Sequence, residues 1–535
     1  MTMLNGNNLW HFGIINDMGW EVIHNHEVFT YKNKPNNLYE TLLNSANKYP
    51  DRVVLCDNWG HKDTYSSFLN KVTLFAQYLR SKNVRKGHHV GLLLHNSREF
   101  AISFYACAKI GAVTFPFPTK YRMTEIEALI NQSNLDYLIT TNSFEEEIVN
   151  MNLGIPIIVS RDEEKSFGFD YLVKDIRLTQ NDFQSSAELS DEIIVMFTSG
   201  TTSQSKGVVL RNYNVIHAII TYQRILDIRE SDKTIIPIPI YHITGLVALL
   251  GLFVFVGGTI YLYQRYDAKQ ILDCIEQEKI TFMHGSPTVF SKLLEFKTEY
   301  ACRSLRKLGC GSSYTPVNRL NEFHEWLPFC QFQVIYGMTE TSSPALICPY
   351  DSPTSIYATA AGIPVPGVQF KICSSDGKEL KENEVGELFI KGACVAENYY
   401  KLPDSEYFAD GWLSTGDMAY FNNSNYIFIV DRKKDMINRG GEKIWCIDLE
   451  EELNKLEEIQ ESSVVGIADP LYGEVAVAVV VLKEGYALDF ESIKSRLKKQ
   501  LATFKIPTQI KVVTEIPKTA GLKVDKRSIR KLFEQ

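Results

Sequence analysis

Residues 196–210, MFTSGTTSQSKGVVL, are the part of the chain best suited to gripping phosphate. An apolar run from Ile193 to Phe197 leads in and Val208 to Leu210 leads out, so the spacing predicts a strand, a turn and a second strand. The turn carries the hydroxyls of Thr198, Ser199, Thr201, Thr202 and Ser203, then Gly200 and the pair Lys206-Gly207. Its backbone N–H groups can form an anion nest, to which a lysine ammonium adds charge. It is not a Walker A loop, because Lys206-Gly207 opens a strand rather than a helix. Taken alone, the segment also reads as a Ser/Thr-rich surface hairpin.

Other short stretches place chemistry-bearing residues just after apolar runs. Phe332–Ile335 is followed by Tyr336-Gly337-Met338-Thr339-Glu340-Thr341, and 305–308 by Gly309-Cys310-Gly311-Ser312-Ser313. A strand at 281–284 ends in Gly285-Ser286-Pro287, and one at 234–238 precedes Tyr241-His242-Ile243-Thr244-Gly245. Strands that end in small or hydroxyl residues fit a site at the carboxyl ends of a parallel sheet. His284, Gly285 and Ser286 join His242 as candidate pocket residues; for His242 the competing reading is a core histidine bonded to backbone.

The elements that must hold these residues alternate from Leu38 onward. Helices are expected at 38–48, 65–81, 98–110, 124–132, 212–224, 269–278 and 287–295, with short strands between them. That alternation implies a mainly parallel sheet covered on both faces. From about Pro364 the texture becomes short strands with Gly, Asp and Asn turns, an all-β layer. Beyond the charged run Asp431-Arg432-Lys433-Lys434-Asp435 comes a compact α+β segment. Residues 1–35 show no clear periodicity.

At 535 residues the chain exceeds what one core supports, and 45% hydrophobic with 22% charged residues is ordinary for a globular protein. A net charge of −8 argues against a general nucleic-acid or anionic-membrane binder. Residues 245–263 run without a charge for about the length that crosses a bilayer, but the Gly257-Gly258 turn divides them into a buried helix and a strand. The ten cysteines form no CxxC pair and no zinc-spaced cluster. With no signal-peptide pattern at the start of the sequence, they read as reduced thiols of a cytoplasmic protein.

In order and spacing, the 196–210 loop, Tyr336–Thr341, Ser414-Thr415-Gly416-Asp417, the 431–443 segment and the tail Pro517–Lys523 resemble the adenylate-forming superfamily, specifically its acyl- and aryl-CoA synthetases. The likeness spans about residues 38–530. It implies an N-terminal adenylation domain, 1–430, of parallel α/β subdomains plus a β-layer or distorted barrel, and a small mobile α+β domain, 431–535, hinged near Lys434. It implies two half-reactions: a carboxylate attacks the α-phosphate of MgATP to give an acyl-adenylate and pyrophosphate, then the thiol of coenzyme A displaces AMP.

The resemblance also assigns roles. Thr198, Ser199, Gly200, Thr201, Thr202 and Lys206 would hold phosphates, and Glu340 would bind Mg2+. Thr339 would hydrogen-bond the α-phosphate, Tyr336 with Gly337 and Met338 would lie at the adenine, and Gly311 and Ser312 would line the nucleotide and acid pocket. Asp417 would accept the ribose hydroxyls, with Arg432 as a second contact. Lys523 would bridge carboxylate and α-phosphate, and His242 would sit beside the acyl carboxylate. Arg439, Gly440 and Gly441 would line the pantetheine tunnel when the small domain turns about Lys434.

The sequence departs from the family pattern at Ser203, Ser205, Leu522 and Cys446. The runner-up acceptor is a carrier-protein phosphopantetheine. A non-catalytic nucleotide-binding homologue would be expected to lack Lys523, Glu340 or Asp417, and all three are present. A membrane-embedded role would rest on 245–263 alone. The expected assembly is a monomer or homodimer.

Overall fold

The computed structural model describes residues 4–24, 26–161, 168–198, 205–402, 407–519 and 523–534. The expected Ser199, Gly200, Thr201 and Thr202, together with Ser203 and Leu522, lie outside them. Two large sheets organise the first four hundred residues. The nine-stranded sheet runs Ile363–Pro364, Leu346–Ile347, Gln331–Tyr336, Lys307–Cys310, Phe282–Gly285, Lys233–Ile236, Thr259–Leu262, Val53–Asp57, Lys62–Thr64. Its middle is parallel and only its end strands are antiparallel. The six-stranded sheet runs Lys206–Arg211, Glu192–Thr198, Val113–Pro116, His89–Leu93, Tyr137–Thr141, Ile157–Ser160, again parallel except for the hairpin at its edge.

Helices fill the space between these sheets because their sequences are apolar on nearly every side. All of Arg98–Ile110 is buried, as is almost all of Asn212–Ile225. The uncharged stretch becomes a buried π-helix, Thr244–Gly251, continued by α-helix Leu252–Val256 and then strand Thr259–Leu262. No helix among the described residues is long and apolar enough to cross a membrane. Gly257, in the left-handed region at φ 85°, ends the helix so that the chain can reverse into that strand.

The third layer is antiparallel: Val368–Cys373, Gly386–Gly392 and Trp412–Phe421 in order, with Ile427–Arg432 also paired to the last. Its core is continuous with that of the two large sheets. Beyond Arg432, Ile437–Arg439, Glu442–Ile444, Ile459–Asp469, Gly473–Leu482 and Gln509–Val512 form a five-stranded sheet, against which helices Cys446–Asn454 and Phe490–Leu497 pack in a separate core. The mixed α/β class with parallel sheets, β-layer and small α+β unit agrees with the sequence expectation. All ten cysteines are buried and unpaired.

Residues 18–31, which showed no periodicity in sequence, form a hairpin, Met18–Ile23 with His26–Tyr31. The sequence hid it because Trp20 and Val22 face outward, so the apolar alternation that marks a half-buried strand is inverted.

Candidate active site

Strand Gln331–Tyr336 ends at the seam between the parallel sheet and the β-layer. Its last residue, Tyr336, donates its hydroxyl to Asp417 Oδ2 at 2.6 Å. Asp417 stands opposite Arg432 in the antiparallel register, and Arg432 Nε lies 2.8 Å from Asp417 Oδ1. Burial pushes the Asp417 carboxyl up, while Arg432, Tyr336 and Lys523 pull it back. Both oxygens of a nearly buried carboxylate are thus engaged, and the acid is fixed in orientation.

After Tyr336 the chain makes a sharp reversal. A Cβ on Gly337 would lie 1.5 Å from Ser343 O, so no other residue fits there. The 3-10 turn Thr339–Thr341 follows, locked by Met338 N donating to Thr341 Oγ1 at 3.0 Å. Glu340 is buried; its Oε1 accepts from the Tyr399 hydroxyl at 2.9 Å and its backbone carbonyl from Ala396 N at 2.7 Å. Its second carboxylate oxygen has no hydrogen-bond partner among the described residues, a hard donor left for a cation. Among the described residues the Thr339 hydroxyl reaches only the Met196 thioether, at 4.0 Å, a weak acceptor.

Lys206 sits in strand Lys206–Arg211 opposite Thr198. Its ammonium lies 3.4 Å from the centre of the Tyr407 ring and 5.4 Å from that of Tyr399. Tyr399 therefore touches both Lys206 and Glu340. Nothing in the spacing pointed to Tyr399 or Tyr407, which come from the β-layer almost two hundred residues after the loop; only tertiary packing brings them in.

Lys523 comes from the tail, where its carbonyl accepts from Thr519 N at 2.7 Å. The residue keeps exposed surface, yet the protein packed around its ammonium, and next the Arg432 charge, lower its pKa, while Glu340 and Asp417 act in the opposite sense. The ammonium thus lies within electrostatic reach of Arg432, Glu340 and Asp417. His242, at the foot of the π-helix, is half-buried with Nε2 sealed from solvent and without a hydrogen-bond partner among the described residues. Burial first, then the charges of Lys523 and Lys120, push its pKa down to about 3, so the imidazole is neutral. Lys120, which the sequence reading passed over, follows strand Val113–Pro116 as one more charge in what reads as a loop.

Gly311 packs against Ile335 O, and its N–H donates to Gly285 O at 3.1 Å; Ser312 beside it is exposed at φ 75°. The structure thus brings Thr198, Lys206, Tyr336, Thr339, Glu340, Asp417 and Arg432 to neighbouring positions around one seam, with Lys523 within electrostatic reach of that seam and His242 within reach of Lys523. Arg439, Gly440 and Gly441 are elsewhere. Their hairpin tip packs within the small unit, with the Arg439 guanidinium 4.1 Å from the Tyr472 ring and Gly440 N bonded to Tyr472 O at 2.7 Å. Lys434 lies on an exposed turn between the β-layer and that unit.

Residues 42–400 match the AMP-binding enzyme family and residues 448–523 the AMP-binding enzyme C-terminal domain. A 2-succinylbenzoate–CoA ligase of Bacillus licheniformis is 31% identical over 487 residues, 90% of this chain and 97% of its own. A feruloyl-CoA synthase of Amycolatopsis is 27% identical, covering 88% and 94%. The structure of o-succinylbenzoate CoA synthetase from Bacillus subtilis, in complex with its acyl-adenylate intermediate, superposes with a TM-score of 0.81 at 27% identity, over 93% of this chain and 98% of that one. With the carboxylate, lysine and tyrosine cluster at the seam and matches to both parts of the family over most of its length, this chain belongs to the AMP-binding enzymes, among the adenylate-forming acyl- and aryl-CoA synthetases.

Proposed function

We propose that this protein joins a small carboxylic acid to coenzyme A, with residue roles that follow from the charges around the seam. The observation carrying the reading is the Asp417 carboxylate held by Tyr336 and Arg432 beside the turn that buries Glu340, and Lys523 from the tail within their electrostatic reach supports it. In the first half-reaction a carboxylate oxygen attacks the α-phosphorus, the bond to the β-phosphate oxygen breaks, and pyrophosphate leaves. Attack of an anion on an anion needs neutralisation more than it needs a base, so fixed cations and donors do the work. Lys523 lies between the two reacting anions and bonds both. Lys206 swings off its rings to the departing phosphates, with Thr198 and the following loop residues Ser199, Gly200, Thr201 and Thr202 beside it.

Thr339, whose hydroxyl meets only a thioether among the described residues, turns to the α-phosphate. Asp417, already oriented by Tyr336 and Arg432, accepts from the ribose. Glu340 offers its unbonded oxygen to Mg2+, which when bound neutralises phosphate charge. Neutral His242 donates to or accepts from the acid carboxyl without adding a charge.

In the second half-reaction the thiol of coenzyme A attacks the acyl carbon and AMP leaves. We propose residues 431–535 as a unit turning about Lys434, which carries Lys523 away and brings Arg439, Gly440 and Gly441 to the pantetheine. The ten buried, unpaired thiols support a cytoplasmic setting. Incubating the protein with MgATP, a panel of acids and coenzyme A, and detecting the thioester by mass spectrometry, tests the reading. A thioester with AMP release is expected. Acyl-adenylate without a thioester would transfer the reading to a carrier-protein acceptor.

A further inference from the structure

His284 is out of balance with its surroundings. It stands in strand Phe282–Gly285, 2% exposed, and neither Nδ1 nor Nε2 has a hydrogen-bond partner among the described residues. Strand alternation places it on the same face as Phe282, which stacks on Phe253 of the buried helix. His284 therefore looks into the helical layer between the sheets, where its ring meets Tyr222 edge-on at 5.9 Å.

The neighbourhood makes room for this imidazole and gives it nothing to bond. A Cβ on Gly309 would fall 2.9 Å from His284 Cδ2, and one on Gly311 3.6 Å from Cε1, so two glycines keep the ring's flank open toward the strand ends. The hydroxyls of the surrounding segments are bonded elsewhere and not to the imidazole. Tyr222 pairs with Ser343 at 2.8 Å, Ser286 accepts from Val289 N at 3.4 Å, and Thr341 donates to Met338 O at 3.1 Å. A buried donor and a buried acceptor left unpaired are destabilising, and native cores rarely keep them without an outside partner.

From these facts we infer that His284 reads the far end of the acid substrate, selecting acids that carry a neutral hydrogen-bonding group, a hydroxyl or carbonyl, remote from the carboxyl. The inference rests on the acid–CoA ligase reading. His242 feels the charges of Lys523 and Lys120, while only burial acts on His284, which is the order expected if His242 marks the carboxyl end of the pocket and His284 its depth. Burial holds His284 neutral, at about 3, so it offers one donor and one acceptor but no charge to balance a second carboxylate.

The test uses the full chain and acids in matched pairs: 4-hydroxycinnamate with cinnamate, 3-(4-hydroxyphenyl)propanoate with 3-phenylpropanoate, and 7-oxooctanoate with octanoate. For the scaffold that turns over best, the polar member is expected to lead in kcat/KM by about 10- to 100-fold. His284→Leu should abolish that preference and His284→Gln restore part of it. Equal or reversed preference in every pair, or a preference that survives His284→Leu, overturns the inference, as it would if an ordered water satisfied the ring. Thermal shifts with the acids and MgATP supply a readout that does not depend on turnover. There the polar acid should stabilise the original protein more than its plain partner and lose that advantage in His284→Leu. If thioester is absent with every acid while this difference persists, the ligase reading falls and the pocket reading stands; absence of the difference overturns the latter.

Discussion

A single ammonium carries the adenylation chemistry proposed above, and its surroundings make its contribution measurable. Lys523→Ala should lower acid-dependent ATP–pyrophosphate exchange by about 100- to 1,000-fold, in the range found when one preorganised charge donor is removed. Transfer of a preformed acyl-adenylate to coenzyme A should fall far less. Because the Lys523 pKa is lowered and the protonated form is required, the alkaline limb of adenylation should fall below 10.5, the value of a free lysine. A pH–rate profile of the exchange reaction checks this.

The buried histidines set a second, independent dependence on pH. Burial holds His217 at about 4 and His242 and His284 at about 3, against 6.5 for a free imidazole. Below pH 6.5 the unfolded chain binds protons that the folded chain refuses. Stability contributed by the neutral rings is therefore present above pH 6.5 and declines as pH falls toward 4. Each ring contributes about 1.4 kcal/mol per pH unit to that slope in its steep part. Urea unfolding between pH 7 and 4.5 should show the decline, and His284→Leu should make it shallower by one ring's share.

At the scale of elements, the reversal after strand Gln331–Tyr336 is the least tolerant part of the site. Gly337→Ala places a methyl group inside Ser343 O, and Ser342 and Ser343 already hold φ values of 53° and 100°. A loss of about 3 kcal/mol or more is expected, beyond the usual range of a surface change, with ATP binding lost alongside. Chemical denaturation and nucleotide titration of that variant check it. Such local constraints were partly legible in the sequence. Strand and helix alternation from Leu38 onward, the division of 245–263 by its glycine pair, and the small residues closing each strand all follow from periodicity and turn chemistry.

What sequence could not supply is contact across distance. Tyr399 and Tyr407 read as ordinary β-layer aromatics until the fold sets them beside Lys206 and Glu340. The outward-facing Trp20 and Val22 concealed the 18–31 hairpin for the opposite reason: their polarity misstates their position. His284 was legible as a pocket residue, but its lack of partners is a property of packing alone.

Across the whole molecule, the described contacts between the small C-terminal unit and the rest include Cys446 N donating to the buried Asp431 Oδ2 at 2.7 Å. Asn318 Nδ2 donates to Asn454 O at 3.1 Å and Arg319 Nη2 to Gln460 O at 3.0 Å, both from helix Val317–Trp326 of the main body. Lys292 approaches Glu515 at 3.8 Å and Lys526 reaches Asp431 at 3.7 Å. The contacts to helix Val317–Trp326 suit a proposed swing about Lys434, because they are single polar bonds, while those to Asp431 lie next to the proposed hinge. Arg319→Ala should reduce pyrophosphate exchange a few-fold, by about one hydrogen bond's worth, and leave acyl transfer from a preformed adenylate unchanged or faster. Measuring both half-reactions separately on that variant decides it; equal loss in both would show that the contact serves stability alone.

The resting place of Lys206 has one more consequence. An ammonium held by two aromatic faces gains about 0.5–2 kcal/mol there, and a ligand must exceed that to draw it away. A triphosphate presents more negative oxygens at once than chloride, sulfate or a lone phosphate, and so competes better for the ammonium. The rings thus set a threshold. They favour release of the lysine to the most highly charged ligand, and Tyr399, which also donates to Glu340, ties the lysine's resting place to the carboxylate proposed for the metal.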